Sequence, residues 1–339
     1  MNWMPATATA LLLLAAAPIR AQEDMLDKNL PDYQKVDAEL SGDLNAVGSD
    51  TMFNLMNLWG ERFRKWYPGV HIQEEGKGSS TAPPALIQGA AQLGPMSRTM
   101  KSKEVDDFVK KFGYEPTRVR TCLDALAVFV NKDNPIQGLT LQQVDAIFGK
   151  LRKRGFPKDI TRWGDLGLTG RWAQAPISLF GRNSASGTYG FFKEHVFRKG
   201  DYKDTVKEQP GSAAVVQGVT VDPYAIGYSG IGYRTSGVRA VPLAEDSSGK
   251  FFEADLQHVA TGDYPLGRFL NLYINKRPGQ PLNPVLREFL SFILSRQGQK
   301  VVVKAGYLPI PASVVAEIRN EIGLPQLKKA GFQPSSYRK

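Results

Sequence analysis

Leu44-Asn45-Ala46-Val47-Gly48-Ser49-Asp50-Thr51-Met52 decides the fold class. Leu44 to Val47 reads as a short strand, and Gly48 to Thr51 as a hydroxyl-rich turn. Beyond the turn, Met52, Met56, Trp59, Phe63 and Trp66 recur at steps of four, three, four and three, one face of an amphipathic helix. Pro68-Gly69 ends that helix, and Val70 to Gln73 suits a second strand. The pattern then repeats. Gly76 to Thr81 is another turn, and Pro83 and Pro84 open a helix to Gln88, proline being favoured in a first helical turn. Strand, turn and helix, twice in succession, predict parallel α/β layering with ligands beyond the carboxyl ends of the strands.

The rest of the chain predicts a second lobe and a return to the first. Leu123 to Val130 is nearly all apolar and is closed by Asn131 to Pro135, a buried strand that crosses between lobes. Thr140 caps a helix carrying Val144, Ile147 and Phe148, stopped by Gly149. Ile177 to Phe180 is a strand that delivers Gly181-Arg182, and a helix with Phe191, Phe192, Val196 and Phe197 follows. Gly227 to Gly230 reads as a strand and turn, and Phe269 to Asn275 as the second crossing. Asn283 then caps a helix with Pro284 in its first turn and Leu286, Phe289, Leu290 and Ile293 on one face.

A chain of 339 residues with 42% hydrophobic and 22% charged residues is long enough for two lobes and ordinary for a globular protein. The net charge of +10 raises nucleic acid as a partner, but the basic residues are scattered. Their densest group, Lys150, Arg152, Lys153 and Arg154, reads as a solvated loop, and no nucleic-acid motif is visible. Residues 1–21 read as a secretory signal, with Leu11 to Ala17 as its apolar run and Ala21 as the last residue before cleavage. Residues 22–42 form an acidic arm, and the segment 326–339 a basic tail. Cys122 is the single cysteine, so no internal disulfide forms. His71, His195 and His258 have no metal-binding spacing, so no metal and no cofactor are expected.

Three turns share one design: Gly48-Ser49-Asp50-Thr51, Gly78-Ser79-Ser80-Thr81 and Ser184-Ala185-Ser186-Gly187-Thr188. Each sets hydroxyls and glycine before a helix start, where unpaired N–H groups carry about half a positive charge. Converging, they make an oxyanion site. Arg182, at the end of a strand and four residues before Ser186, adds a planar fork for two anion oxygens. Gly94-Pro95-Met96-Ser97-Arg98 is a fourth candidate loop, in which Ser97 can donate or accept and Arg98 either adds charge or supports the cleft from behind. Catalysis has no such support. Gly227-Tyr228-Ser229-Gly230 lacks the spacing of a serine-hydrolase elbow, and no nucleotide phosphate loop is present.

These motifs, in this order, resemble the phosphate-binding proteins of bacterial ABC phosphate transporters, over residues 43–322. The resemblance implies a two-lobed periplasmic-binding fold, each lobe a mixed sheet flanked by helices, joined by a two-strand hinge. It implies lobe 1 at 43–125 plus 270–325, lobe 2 at 126–269, and closure on one inorganic phosphate. It carries over the ligand role to Thr51, Met52, Ser79, Arg182, Ser186, Gly187 and Thr188, with Ser49, Ser80 and Ser97 beside them and Ser80 offering its backbone N–H. Many members have an aspartate where Ser97 stands here. Asp50 is the candidate substitute acceptor, the alternative being that it caps its own helix. The implied partners are phosphate and the permease subunits of an importer, for a periplasmic, monomeric carrier. A secreted phosphoryl hydrolase, or a carrier of sulfate or molybdate, is the alternative.

Overall fold

One long strand ties two groups of strands together. The computed structural model describes residues 25–247 and 249–325, so the expected signal segment and basic tail lie outside the described residues. Strand β1 (Ser41–Val47) pairs in parallel with β2 (Gly69–Glu75), Leu44 opposite Ile72, and helix α1 (Asp50–Arg64) connects them. A tight 3-10 turn at Ser79–Thr81 leads into α2 (Ala82–Gln88) and β3 (Gly94–Met96). A bridge from Ala46 to Leu93 sets β3 beside β1. Helix α3 (Ser102–Phe112) then reaches β4 (Thr117–Asn131), fifteen residues long.

The second group comprises β5 (Leu139–Thr140), α4 (Leu141–Phe148), β6 (Ser178–Arg182), α5 (Gly187–His195), β7 (Lys207–Gln209), α6 (Ser212–Val221), β8 (Ala225–Gly230), β9 (Val238–Ala240), β10 (Leu243–Ala244) and α7 (Leu256–Thr261). Strand β11 (Gly267–Ile274) returns, followed by α8 (Pro284–Ile293), α9 (Arg296–Lys304) and α10 (Ala312–Glu321). The sheet order β3-β11-β4-β8-β6-β7 mixes antiparallel β11/β4/β8 pairs with parallel β8/β6/β7 pairs. Strand β4 pairs with β11 up to Ala125 and with β8 from Leu126 onward. That change of partner joins the two groups of strands.

Local chemistry explains the elements that hold the site. Helix α1 buries Thr51, Met52, Leu55, Met56, Trp59 and Phe63, each large apolar side chain contributing about 1.5–3 kcal/mol. The Trp59 indole donates to the Gly298 carbonyl at 2.9 Å, docking α1 on α9. Trp66, expected on the same helix face, lies past the helix end at Arg64, because the chain turns toward Pro68. It packs edge-on against Tyr33 instead. Thr140 and Asn283 cap their helices as the sequence predicts.

From residue 25 onward the acidic arm is packed on the body of the molecule. Leu26, Leu30 and Tyr33 are buried, the Tyr33 hydroxyl contacts Tyr67 and Glu288, and Asp27 accepts the Ala312 amide. Arg154, read as part of a solvated loop, is largely buried and donates to Glu245 and to the Val196 carbonyl.

Candidate oxyanion-binding site

All four candidate loops meet at one buried place. Thr51 begins α1, Ser79 opens the 3-10 turn before α2, Ser97 follows β3, and Thr188 lies in the first turn of α5. These four side chains are almost wholly buried. Their hydroxyls form a chain: Thr51 Oγ1 to Thr188 Oγ1 at 2.9 Å, Thr188 Oγ1 to Ser97 Oγ at 3.5 Å, and Ser97 Oγ to Ser79 Oγ at 3.3 Å. The Ser97 amide also donates to Ser79 Oγ at 3.0 Å.

Glycine makes this proximity possible. A Cβ on Gly187 would lie 2.3 Å from Ser79 Oγ and 2.6 Å from Ser97 Oγ. Gly78 has φ +112°, favoured by glycine, and a Cβ there would lie 2.5 Å from the Ala185 carbonyl oxygen. Both contacts join the loops of the first strand group to the α5 turn of the second.

Arg182, at the end of β6, is 1% exposed. Its guanidinium meets the Asp50 carboxylate at 3.0 Å and donates to Ser212 Oγ at 2.7 Å and the Pro210 carbonyl at 3.1 Å. Its Nε is buried and has no hydrogen-bond partner among the described residues. Burial lowers the Arg182 pKa, and Asp50 opposes that shift. Asp50 also accepts the Ser212 amide at 2.8 Å. So it reaches across to β6 and α6 rather than capping its own helix. Tyr307 and Tyr233 hydroxyls hold the Thr51 and Asp50 carbonyls at 2.6 and 2.7 Å.

Several expected ligand groups are occupied. The Ser80 amide donates to the Ala185 carbonyl at 3.1 Å, so the expected offer of its N–H to an anion is not met. Ser80 Oγ accepts from Arg98 at 3.3 Å. The Ser49 amide donates to Pro95 and the Met52 amide to Ser49, while the Met52 side chain sits in the core. Ser186 Oγ caps α5 by accepting the Thr188 and Tyr189 amides, which leaves its own proton to donate. Arg98 makes two 2.7 Å contacts with Glu104.

Sequence reasoning missed Arg268 and Asp124, a register pair at the crossing of β11 and β4. Arg268 donates to Asp124 Oδ2 through Nε at 2.9 Å and Nη2 at 2.8 Å, to the Ser97 carbonyl at 2.9 Å and to Thr188 Oγ1 at 3.0 Å. The available signal was a lone carboxylate inside the apolar run 123–130 and a lone arginine just before the run 269–274. Buried charges of this kind are almost always paired. Among the described residues, no group of three or more His, Cys, Asp or Glu is placed to hold a metal ion.

Two mixed α/β lobes, linked by crossing strands and meeting over an enclosed polar centre, define the class of two-lobed solute-binding proteins. The chain belongs to the PBP superfamily, whose domain signature matches residues 34–297. It is 53% identical over 317 residues to the phosphate-binding protein PstS of Pseudomonas aeruginosa, covering 93% of this chain and 98% of that one. A crystal structure from Clostridium perfringens, described as a phosphate ABC transporter substrate-binding protein with bound phosphate, superposes with a TM-score of 0.66 at 26% identity, covering 79% of this chain and all of that one. An ABC-type phosphate transport receptor from Vibrio cholerae shares the fold, with a TM-score of 0.60 at 21% identity over 79% of this chain and all of that one.

Proposed function

We propose that this chain captures inorganic phosphate between its two lobes and delivers it, unchanged, to an ABC importer. The observation that carries this reading is the cluster of buried hydroxyls from both lobes together with Arg182, which pairs with Asp50 next to Thr51 and keeps a buried Nε donor with no partner among the described residues. An oxyanion loses its hydration in such a place, and fixed donors must replace it. Hydroxyls and helix-start amides do so with little ordering entropy. Thr51, Ser79, Ser97, Arg182, Ser186, Gly187 and Thr188 form the proposed site, with Asp50 neutralising Arg182 and Arg98 buttressing Ser80. Ser49, Ser80 and Met52 shape the loops rather than contact the anion.

The lobes are proposed at 43–125 plus 270–325 and at 126–269. Phosphate bridges them, so loading favours closure, and the closed surface is what the permease subunits read. The proposed setting is the periplasm, entered through the signal at 1–21, with the carrier a monomer and no catalytic step of its own. The names of the relatives, which are those of binding proteins, support the carrier role without a catalytic step.

Titration calorimetry of the mature protein with phosphate, sulfate and molybdate tests the reading. Phosphate is expected to bind with micromolar or tighter affinity, about −8 kcal/mol or better. Binding of sulfate or molybdate in preference to phosphate would overturn it. Release of phosphate from a phosphomonoester in the same preparation would replace the carrier with a hydrolase.

A further inference from the structure

Arg268 is the group in this centre that the three hydroxyl turns do not announce. It rises from β11 where the chain crosses between lobes, it is 6% exposed, and the Phe191 ring lies 5.2 Å from its guanidinium carbon. Its partner Asp124 is fully buried and also accepts the Ile231 amide at 3.0 Å. One planar group therefore touches three parts of the molecule: the crossing strand at Asp124, the loop after β3 at the Ser97 carbonyl, and the α5 turn at Thr188 Oγ1.

The chemistry of these contacts is directional. A guanidinium only donates, so Thr188 Oγ1 must accept from Arg268. The Thr188 proton then points away from Arg268, to the side where Thr51 Oγ1 and Ser97 Oγ lie at 2.9 and 3.5 Å. Ser79 is treated alike, since its Oγ accepts the fixed Ser97 amide. Ser186 Oγ accepts two amides of α5. Three hydroxyls from two lobes are thus each occupied on the acceptor side by a rigid N–H donor. Each has its proton left for the polar centre. Only for Thr188 is that donor a charged side chain with a neutralising partner of its own.

We infer that Arg268 is a positioning residue of the phosphate site, one that fixes the Thr188 hydroxyl as a donor toward the anion while Asp124 balances its charge. The inference rests on the phosphate reading above. Arg268 adds no net charge to the centre, because Asp124 takes two of its N–H groups. Its action passes through Thr188 and the Ser97 loop. Effects of removing Arg268 and removing the Thr188 hydroxyl should therefore overlap rather than add.

The test is a double-mutant cycle on phosphate affinity, measured by calorimetry on the mature chain. Arg268→Gln combined with Asp124→Asn removes both charges together and leaves no lone buried ion. Thr188→Val removes the hydroxyl at nearly constant volume. The paired variant and Thr188→Val are each expected to weaken phosphate binding by about tenfold or more, and all three changes together by no more than about threefold beyond the weaker of them. Arg268→Lys keeps the charge beside Asp124 but cannot reach Ser97, Asp124 and Thr188 at once. It is expected to lose about tenfold as well. It serves as the second probe if the paired variant does not fold. Wild-type affinity in the paired variant or in Arg268→Lys, or fully multiplicative losses in the cycle, would overturn the inference alone. A wild-type protein that binds no phosphate would overturn the phosphate reading and this inference with it.

Discussion

Arg182 and Arg268 are both buried against the hydroxyl turns, Arg182 on Asp50 next to Thr51 and Arg268 on Thr188, yet they are held in different ways. Arg182 leans on Asp50, whose side chain is 20% exposed, and keeps a buried Nε with no partner. Arg268 leans on Asp124, which is fully buried, and spends its donors on a carboxylate, a carbonyl and a hydroxyl. The first has a donor to give to a ligand. The second is nearly saturated and belongs to the frame. A buried cation marks a binding group when its donors are left over, and a structural one when they are used.

The largest expected effect breaks the frame. Asp124→Asn leaves Arg268 charged and unbalanced in the interior, and is expected to cost about 3–5 kcal/mol of folding stability. Thermal or denaturant unfolding measures this, and a loss under about 1 kcal/mol would mean the pair is not buried as described. Arg182→Ala is expected to leave the fold intact while weakening phosphate binding by about 2–5 kcal/mol. Calorimetry checks it, and a change under about tenfold, or 1.4 kcal/mol, would remove Arg182 from the site. Gly187→Ala sharpens the comparison by attacking the contact between lobes, since its Cβ would displace Ser79 Oγ and Ser97 Oγ. Overpacking of this kind costs about 1–3 kcal/mol, read here as a loss of phosphate affinity with the unfolding temperature little changed.

The smallest effect concerns a buried carboxyl group whose oxygens have no hydrogen-bond partner among the described residues. Both carboxylate oxygens of Glu74 on β2 are buried and unpartnered, and burial pushes its pKa up to about 9. The folded protein therefore holds this proton above the pH at which the unfolded chain releases it. The stability that depends on the proton is complete below the ordinary glutamate pKa and is lost as pH rises from there to about 9. Glu74→Gln is expected to remove that decline and to stabilise the protein by about 1–3 kcal/mol at pH 8. Unfolding curves at pH 4 and pH 8 measure the difference, which should be near zero at pH 4.

Much of this molecule was legible in the sequence because its signals are local. The apolar face of α1, the caps at Thr140 and Asn283, the hydroxyl turns and the strand that ends in Arg182 each depend on residues close together in the chain. The Arg268–Asp124 pair is different, because its meaning arises only when β11 and β4 lie side by side in register, 144 residues apart in sequence. The occupied amides of Ser80 and Met52 were also hidden, since whether a helix-start N–H is free depends on which carbonyl arrives beside it. Asp50 was read as either a cap or an acceptor, and its reach to Arg182 and the Ser212 amide needed the second lobe in place.

A crystal structure of the mature protein grown with phosphate tests the central claim most directly. The account predicts a single tetrahedral anion enclosed between the lobes, within hydrogen-bond distance of Thr51 Oγ1, Ser79 Oγ, Ser186 Oγ and Arg182 Nε. Phosphate lodged instead in the wider cleft lined by Arg118, His195 and Lys199, with Arg182 Nε still unpartnered, would contradict it.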